Sequence, residues 1–357
     1  MKEEKNIGIG RKQMKKLKYL KDLKEVKIDK DREFFSATHE EIKNAWTTDV
    51  YFLRTQDILT YLGVQDKVVT AEIFPRKKGV FAGLPEVMSL LKDKNVEVWS
   101  LEEGETFEAK ETVMRIRGPY SEFGVYETAI LGILASSSGW ATAARELKEV
   151  AKDKPILCFG ARHVHPAVAP VMERAALVGG ADDASCILGA KLMGKEPRGT
   201  VPHAAFLIAG DTLEVARAYR DITPPDEKIT ILVDTFKDEV EEALRVAEFL
   251  GDRLYGVRLD TPSERGGVTP DLVYELRQRL NQKGFSHVKI IVSGGLTPER
   301  VALLAESGAD AFGVGSYISD AQPIDMTMDI KEVEGVPVAK RGRIPGIIEN
   351  KKLKKIK

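Results

Sequence analysis

The stretch VKIIVSGGLTPERVALLAESGADAFGVGS, from Val288 to Ser316, contains the pattern that decides the fold. An apolar run rich in β-branched residues ends at two glycines, an amphipathic segment follows, and a second apolar run ends at a further glycine turn. Thr297 and Pro298 mark the start of the intervening helix, because threonine caps helices and proline fits their first turn. Strand, helix and strand in this order predict a right-handed crossover within a parallel sheet.

The same alternation of apolar runs and amphipathic segments occupies the whole region after Pro155. Seven runs are predicted as strands: ILCFGA, ASCIL, AAFLIA, ITILVD, LYGVRLD, VKIIVSG and AFGVGS. Each of the first six is followed by a segment of helical character. Seven such units approach closure, so we predict an incomplete parallel α/β barrel of about seven strands.

The residues before Pro155 show a different pattern. VVTAEIFPRKKGVFAGL, VEVWSLEEGETF and ETVMRIRG alternate with period two and predict an antiparallel sheet. VEGVPVAKRG, after the barrel, predicts one or two strands that return to it. We therefore divide the chain into a basic N-terminal tail (1–30), an α+β open-faced sandwich (31–154), the barrel (155–324) and a C-terminal segment (325–357) that completes the sandwich and ends in a basic tail.

Composition excludes several classes of protein. No run approaches the roughly 18 apolar residues that cross a bilayer, and the N-terminus has no apolar signal core, so we expect a cytoplasmic protein without a membrane partner. Two cysteines are too few for a disulfide framework or a four-thiolate site, so no structural zinc is expected. The net charge is −1, with the basic residues concentrated at both ends, and the acidic body argues against nucleic acid as a partner.

Polar residues and glycines lie at the ends of most predicted strands and at the start of the second and third units, and barrels bind their ligands at strand ends. In chain order they are Phe159, Arg162 and His163; Asp182 and Asp183; His203; Asp234 and Thr235; Arg258, Asp260 and Thr261; Ser293, Gly294 and Gly295; and Gly313, Gly315 and Ser316. Because the carboxyl ends of parallel strands meet at one edge, we expect these residues to share one site.

The glycines at the last two strand ends are typical of a phosphate site, since they let backbone N–H groups approach phosphate oxygens. Tight turns alone would also explain them. Arg258 and Asp260 point to the same face of a strand, which suits either a sugar phosphate or a structural ion pair.

Asp182, Asp234 and Asp260 would place several carboxylates over one cavity, a setting suited to Mg²⁺ held mainly by phosphate oxygens. Asp234 is the candidate ligand, although it could also only order loop backbone. His203 is either an ordinary loop or core histidine, or a proton carrier or nucleophile toward phosphorus. Phe159 and Tyr51 are candidates for stacking on a flat ring, or simply core residues.

Taken together, these motifs resemble the nicotinate phosphoribosyltransferases, type II enzymes related to the quinolinate and nicotinamide phosphoribosyltransferases. The resemblance extends from Thr47 to Ser316. It rests on nine motifs in family order: TTDVYF, GPYSEFGVYETAILGILASSSGWATAAR, FGARHVHP, GGADDAS, GTVPHA, LVDTF, VRLDT, VSGG and FGVGS.

The resemblance implies a homodimer, with possible higher assembly, in which the active site borrows residues from the neighbouring subunit. It implies transfer of phosphoribosyl from phosphoribosyl pyrophosphate to nicotinate in NAD salvage, with Mg²⁺ as cofactor and ATP as co-substrate. The products would be nicotinate mononucleotide and pyrophosphate.

The resemblance also implies a role for each matching residue. Phe159 and, across the dimer, Tyr51 would stack on the pyridine ring, and Arg162 would lie near its substituent. Asp182 would lie beside the base, Asp234 in the phosphate and metal region, and Asp260 on the ribose hydroxyls next to Arg258. Gly294, Gly295, Gly315 and Ser316 would hold the 5-phosphate, with Thr261, Ser293 and Gly313 completing the substrate site. His203 would be phosphorylated by ATP.

Three rivals remain at this stage. A quinolinate phosphoribosyltransferase needs extra cations for a second carboxylate, which RHVH (162–165) could supply. A sugar-phosphate aldolase or isomerase of the barrel class often uses a Schiff-base lysine, and no predicted strand end carries one. A non-catalytic nucleotide-binding module would have no use for His203.

Overall fold

Two six-stranded sheets and one two-stranded sheet (Gly79–Val80 with Thr106–Phe107) organise the chain, which a computed structural model describes from residue 14 to residue 357. The two large sheets differ in direction. Residues 1–13, part of the predicted N-terminal tail, lie outside the described residues. The first sheet is antiparallel and draws strands from both ends of the chain, whereas the second is parallel and lies between them in sequence.

The part before the barrel contains five strands and five α-helices. The strands are β1 (Val68–Pro75), β2 (Gly79–Val80), β3 (Glu97–Ser100), β4 (Thr106–Phe107) and β5 (Met114–Pro119). The helices are α1 (His39–Lys43), α2 (Val50–Tyr61), α3 (Leu84–Leu91), α4 (Tyr120–Phe123) and α5 (Glu127–Ala151).

The second part contains six strands and eight α-helices. The strands are β6 (Ile156–Cys158), β7 (Asp183–Ala184), β8 (Ile229–Leu232), β9 (Leu254–Leu259), β10 (Lys289–Ser293) and β11 (Ala311–Val314). The helices are α6 (Ala169–Gly179), α7 (Ile187–Lys191), α8 (His203–Ala209), α9 (Thr212–Ile222), α10 (Glu239–Leu250), α11 (Pro270–Gln282), α12 (Pro298–Glu306) and α13 (Ser316–Ser319).

Three last strands follow the barrel, and short 3₁₀ helices occur along the chain. The strands are β12 (Met326–Val333), β13 (Val336–Pro337) and β14 (Lys354–Lys355). The 3₁₀ helices are Leu20–Glu25, Gly124–Tyr126, Ala161–His163, Gly251–Arg253 and Ser263–Arg265.

The antiparallel sheet has the strand order β13-β12-β1-β5-β3-β14. β12 pairs along the whole of β1, and β14 pairs with β3 at the opposite edge. The C-terminal lysines at this edge are thus part of the sheet, where the Lys357 ammonium donates to three carbonyls around the end of α3.

The parallel sheet has the order β7-β6-β11-β10-β9-β8 and contains six strands, so the prediction of about seven is wrong by one. The missing strand is AAFLIA, which forms helix α8. Alanine favours a helix, Gly210 ends it with a φ of 83°, and of its apolar residues Phe206 is buried while Leu207 and Ile208 are exposed. The sheet therefore stays open between β7 and β8, the position that a third strand would have filled.

The second predicted strand is also shorter than the sequence suggested. Only Asp183 and Ala184 pair with β6, because Cys186 already precedes the first turn of α7. By contrast, the predicted start of α12 is confirmed: the Thr297 hydroxyl accepts a hydrogen bond from the Arg300 amide, and Pro298 occupies the first turn.

Two apolar cores lie under the two sheets, and α5 contacts both parts of the molecule. It packs against α6 and α12 on the barrel side and against α3 and β2 on the other. Arg174 of α6 also makes a bidentate ion pair with Glu103, in the loop between β3 and β4, at 3.0 and 2.7 Å. None of the helices in residues 14–357 is long and apolar enough to cross a membrane.

The contact between α5 and α6 generates a prediction about stability. A Cβ atom on Gly179 would lie 2.1 Å from the Ala141 carbonyl oxygen, so Gly179→Ala must push the two helices apart. We expect the free energy of unfolding, measured by denaturant titration, to fall by about 1–3 kcal/mol. Gly132→Ala, on α5 with no atom within 4 Å of its new Cβ, is the control and should gain up to about 1 kcal/mol. Equal stability of the two variants would contradict this close packing.

Candidate active site

A cavity of about 320 Å³ opens at the carboxyl ends of the parallel strands. Eleven of the predicted site residues line it: Phe159, Arg162, His163, Arg258, Asp260, Ser293, Gly294, Gly295, Gly313, Gly315 and Ser316. They come from β6, β9, β10 and β11 or from the turns that follow these strands, as expected for a parallel barrel. The common strand edge thus brings together residues that are more than 150 positions apart in the sequence.

Arg258 is the centre of a hydrogen-bond network on one wall. Its guanidinium donates to Ser293 Oγ at 2.8 Å, to Thr200 Oγ1 at 2.8 Å and to Asp260 Oδ2 at 3.1 Å. Ser293 Oγ in turn donates to Asp260 Oδ1 at 2.8 Å. Burial lowers the pKa of Arg258 from its usual value, and the nearby Asp260 carboxylate opposes this shift. The network presents one cation and one carboxylate to the cavity in fixed positions.

Asp234 lies beneath this wall. Its side chain is fully buried; Oδ2 accepts the Asp260 backbone N–H at 2.7 Å, and Oδ1 lies 3.0 Å from His203 Nε2. Burial raises the pKa of Asp234, while the Asp260 amide and His203 lower it. Asp234 therefore orders the residues of the wall and does not itself face the cavity.

The prediction that Asp234 is a Mg²⁺ ligand is not supported by this geometry. Both of its oxygens already have partners, and its side chain is closed to the cavity. Within residues 14–357, no group of three or more His, Cys, Asp or Glu side chains is arranged to hold a metal ion. The described part of the chain therefore offers no built metal cage.

The side chains of Phe159 and His163 fill the space beside two glycines. Gly313 lies in β11, and Gly315 directly follows it. A Cβ atom on Gly313 would lie 2.4 Å from the Phe159 ring, and one on Gly315 would lie 2.9 Å from His163 Nε2. A side chain at either position would collide with one of these rings, which explains why both residues are glycine. The predicted explanation was access of backbone N–H groups to phosphate. The Arg258 guanidinium lies 5.2 Å from the centre of the Phe159 ring, in cation–π contact.

The turn after β10 matches the expected glycine geometry. Gly294 and Gly295 have φ angles of 90° and 58°, which residues with a side chain rarely adopt. A Cβ on Gly294 would also lie 3.0 Å from Asp260 Oδ1. This turn, together with Ser316 at the start of α13, leaves bare backbone at one end of the cavity.

The structure places Asp182 away from the cavity, so its predicted position beside the base is not supported. Asp182 Oδ2 accepts from the Ile156 N–H at 2.8 Å and from Lys148 Nζ at 2.9 Å. Ile156 begins β6, so this carboxylate lies at the amino end of the barrel. Asp182 precedes the predicted strand ASCIL, so it lies before β7 and not at the carboxyl end of a strand.

Thr261 and His203 also do not line the cavity. Thr261 is buried, and its hydroxyl donates to Glu239 Oε1 at 2.9 Å behind the strand end. His203 is the first residue of α8, and its Nε2 lies against the Asp234 carboxylate, outside the cavity.

Tyr51, on α2, lines a separate cavity of about 290 Å³ together with Glu127. Burial raises the pKa of Glu127 to about 7, with a smaller contribution from Asp329. Burial also raises the pKa of Tyr51, and Glu127 and Asp49 add to this shift. Within one chain Tyr51 thus lies outside the predicted site, and its part in a shared site stays a prediction.

Four further residues line the cavity that the sequence did not identify as site residues: Ala161, Ser185, Gly199 and Thr200. Ser185 and Thr200 belong to motifs that were recognised for other residues, GGADDAS and GTVPHA. The loop that contains Gly199 and Thr200 follows no strand, so the rule of strand ends could not select it. The signal that could have identified Ser185 and Thr200 is that both are polar residues within motifs already recognised.

The chain matches known proteins over both of its parts. Residues 49–138 match the family model described as quinolinate phosphoribosyl transferase, N-terminal domain, and residues 140–329 match the corresponding C-terminal domain. A solved structure described as nicotinate-nucleotide pyrophosphorylase from Pyrococcus furiosus is 44% identical, with a TM-score of 0.84 over 88% of this chain and 82% of that chain.

Two relatives with curated names represent two branches. A nicotinate phosphoribosyltransferase of Mycobacterium tuberculosis is 30% identical over 67% of this chain and 54% of its own length. A probable nicotinate-nucleotide pyrophosphorylase [carboxylating] of Archaeoglobus fulgidus is 28% identical over 75% of this chain and 96% of its own length. The chain thus spans about half the length of the Mycobacterium relative and nearly all of the Archaeoglobus one.

These matches cover both parts of the molecule, the antiparallel sheet and the open barrel with its cavity, and define a type II phosphoribosyltransferase fold. The chain belongs to the quinolinate phosphoribosyltransferase family.

The expectation of an ATP-coupled nicotinate enzyme is therefore wrong, and the comparisons favour the quinolinate alternative. The resemblance had implied that ATP phosphorylates His203 of the GTVPHA motif. In the structure, His203 Nε2 faces the buried Asp234 carboxylate and not the cavity, so its presence in the motif does not indicate phosphate chemistry.

The buried carboxyl beside Tyr51 generates a prediction about pH. Because the native state raises the pKa of Glu127 from 4.5 to about 7, it binds the proton more tightly than the unfolded state. The contribution of Glu127 to the free energy of unfolding should therefore fall as pH rises from about 4.5 to about 7. We expect the stability gained by Glu127→Gln to grow over this range and then level off, as measured by urea unfolding at several pH values.

Glu41→Gln is the control with the opposite sign. Arg32 holds the pKa of Glu41 at about 2, so the stabilisation that Glu41 supplies should be lost as pH falls below 4.5. If the stability difference between wild type and Glu127→Gln does not change between pH 4.5 and 7, the assigned burial of Glu127 is incorrect.

Proposed function

We propose that the protein transfers a 5-phosphoribosyl group from phosphoribosyl pyrophosphate to the ring nitrogen of quinolinate, releasing pyrophosphate and CO₂. The name nicotinate-nucleotide pyrophosphorylase [carboxylating], carried by the archaeal relatives, describes this reaction in reverse. The observation that carries the proposal is the cavity itself, which has an aromatic ring, two arginines, a carboxylate and a glycine turn around one space.

The donor would occupy the wall formed by the ends of β9 and β10. The bare backbone at Gly294 and Gly295 suits the 5-phosphate, and Asp260 suits the ribose hydroxyls. Departure of pyrophosphate leaves positive charge on the ribose ring, which the fixed Asp260 carboxylate would stabilise without reorganisation. Mg²⁺ stays part of the proposal as a partner of the donor phosphates, and Asp234 is not its ligand.

The acceptor would occupy the opposite wall, formed by the turn after β6. The Phe159 ring offers a face for the pyridine, and Arg162 and His163 follow on the 3₁₀ turn Ala161–His163. Quinolinate has two carboxylates where nicotinate has one, so two neighbouring groups able to carry positive charge match it better. Holding the ring nitrogen against the anomeric carbon is chiefly an effect of orientation.

The proposed reaction has two chemical steps, transfer of the phosphoribosyl group and loss of CO₂. A bond forms between the ring nitrogen and the anomeric carbon while the bond from that carbon to the pyrophosphate oxygen breaks. The ring then carries a positive charge, so the carboxylate next to the nitrogen leaves as CO₂ and its electron pair stays on the ring carbon. That carbon takes a proton from solvent, and the product is nicotinate mononucleotide.

The aldolase alternative receives no support from the cavity. Among residues 14–357, no lysine lines this cavity, and a Schiff base requires one.

A substrate panel tests the proposed reaction. Purified protein with phosphoribosyl pyrophosphate and Mg²⁺ is offered quinolinate, nicotinate or nicotinamide, each with and without ATP. We expect mononucleotide and an equal amount of CO₂ from quinolinate alone, with no effect of ATP, while Asp260→Asn reports the background. Turnover of nicotinate without CO₂ release, stimulated by ATP, would refute the proposal.

A shared active site in a homodimer is a second part of the proposal, and Tyr51 supports it. The Tyr51 side chain is 53% exposed on α2, outside the cavity of its own chain. A second copy could bring it to the acceptor wall.

Mixing two inactive variants tests this arrangement. Tyr51→Ala and Asp260→Ala subunits, unfolded together and refolded, should form hybrid dimers in which one of two sites has both residues. Random pairing should restore about a quarter of wild-type activity. The variants refolded separately are the controls, and no recovery in the mixture would place Tyr51 outside the active site.

A further inference from the structure

We propose that Glu173 is a positioning residue that holds together the two chain segments forming the acceptor wall of the cavity. This inference deepens the proposed function and rests on it for the identity of the acceptor. Glu173 lies on α6, outside the cavity, and its side chain is fully buried.

The carboxylate of Glu173 accepts three hydrogen bonds from two segments. Oε1 accepts from the Ala161 backbone N–H at 3.2 Å, on the turn that carries Arg162. Oε1 also accepts from Ser185 Oγ at 3.1 Å, and Oε2 accepts from the Cys186 backbone N–H at 2.6 Å. Ala161 and Ser185 both line the cavity, so one buried group connects the turn after β6 with the turn after β7.

Close packing holds both segments against α6. A Cβ on Gly160 would lie 2.6 Å from the Met172 methyl carbon, and one on Gly189 would lie 3.0 Å from the Glu173 Cβ. Neither segment can approach α6 more closely, and the hydrogen bonds prevent them from moving away. The position of the acceptor wall is therefore set from both directions.

A buried carboxylate is costly, which makes a purely space-filling role a poor explanation. No lysine or arginine within residues 14–357 forms an ion pair with Glu173, so its charge is balanced by the three donors alone. Burial raises the pKa of Glu173, and the Cys186, Ser185 and Ala161 donors lower it. An apolar side chain of similar size would fill the same space without this cost.

The arrangement requires an acceptor at both oxygens, because both backbone partners are fixed N–H donors. In Glu173→Gln the amide NH₂ must face either the Ala161 N–H or the Cys186 N–H, and one of these two hydrogen bonds is lost in either orientation. The variant keeps the volume of the side chain while it releases one segment of the wall. The donor wall at Gly294 and Asp260 has no bond to Glu173.

Two measurements on Glu173→Gln test the proposal. Hydrogen–deuterium exchange should accelerate at least tenfold in the peptides covering 159–163 or 185–186, with no change in the peptide covering 293–297. In steady-state assays the KM for the pyridine acid should rise at least fivefold, while the KM for phosphoribosyl pyrophosphate stays within twofold. Glu242→Gln, a fully buried carboxylate of α10 that pairs with Arg245, is the matched control and should change neither measurement.

The outcomes separate this inference from the proposed function. Unchanged exchange at both segments, or equal rises in the two KM values, overturns the role of Glu173. Accelerated exchange together with a wild-type protein that does not convert quinolinate supports the clamp and overturns the function. If Glu173→Gln does not fold, Ser185→Ala, which removes the bond from Ser185 Oγ, decides: faster exchange in the peptide covering 185–186 supports the clamp, and unchanged exchange there refutes it.

Discussion

The site depends on the hydrogen bond from the Asp260 amide to the buried carboxylate of Asp234. These residues follow the neighbouring strands β9 and β8, so the bond connects two strand ends at the edge where the cavity opens. Without it, Asp260 would lose the support that fixes its backbone next to Arg258 and Ser293. A buried acceptor that satisfies a backbone donor is a strong constraint, because an unpaired partner in that place would be costly.

The opening between β7 and β8 follows from a single change of secondary structure. The AAFLIA segment forms a helix, so the sheet does not close and α7 and α8 occupy that side. His203, at the start of α8, reaches Asp234 from there. This contact joins α8 to the end of β8, one edge of the open sheet.

Small residues and buried carboxylates have complementary tasks around the cavity. Gly313 and Gly315 leave room for Phe159 and His163, whereas Asp234 and Glu173 hold the backbone on which the cavity residues stand. The two glycines leave room for the Phe159 and His163 rings at the cavity. The two carboxylates fix the backbone of the cavity walls. Neither carboxylate faces the cavity, and both have a pKa raised by burial.

The sequence by itself determined the parallel strands, the separate antiparallel sheet and most of the cavity. Apolar runs with glycine endings encode strand ends, and strand ends of a parallel sheet always share one edge, so Phe159, Arg258, Asp260 and Gly294 could be placed together. The pattern of apolar residues gave the wrong secondary structure where a segment was compatible with both a strand and a helix. AAFLIA suits a strand or a helix, and in the folded chain it forms helix α8, which ends at Gly210.

Only the tertiary structure decided the roles of the carboxylates. Asp182 follows an apolar segment as Asp234 does, yet it caps the amino end of β6 and is paired with Lys148. Glu173 has no distinguishing mark in the sequence of α6, because its three partners come from turns that the fold brings to it. A hydrogen bond between distant segments depends on the position of both, and that position is a property of the folded chain and not of any short stretch within it.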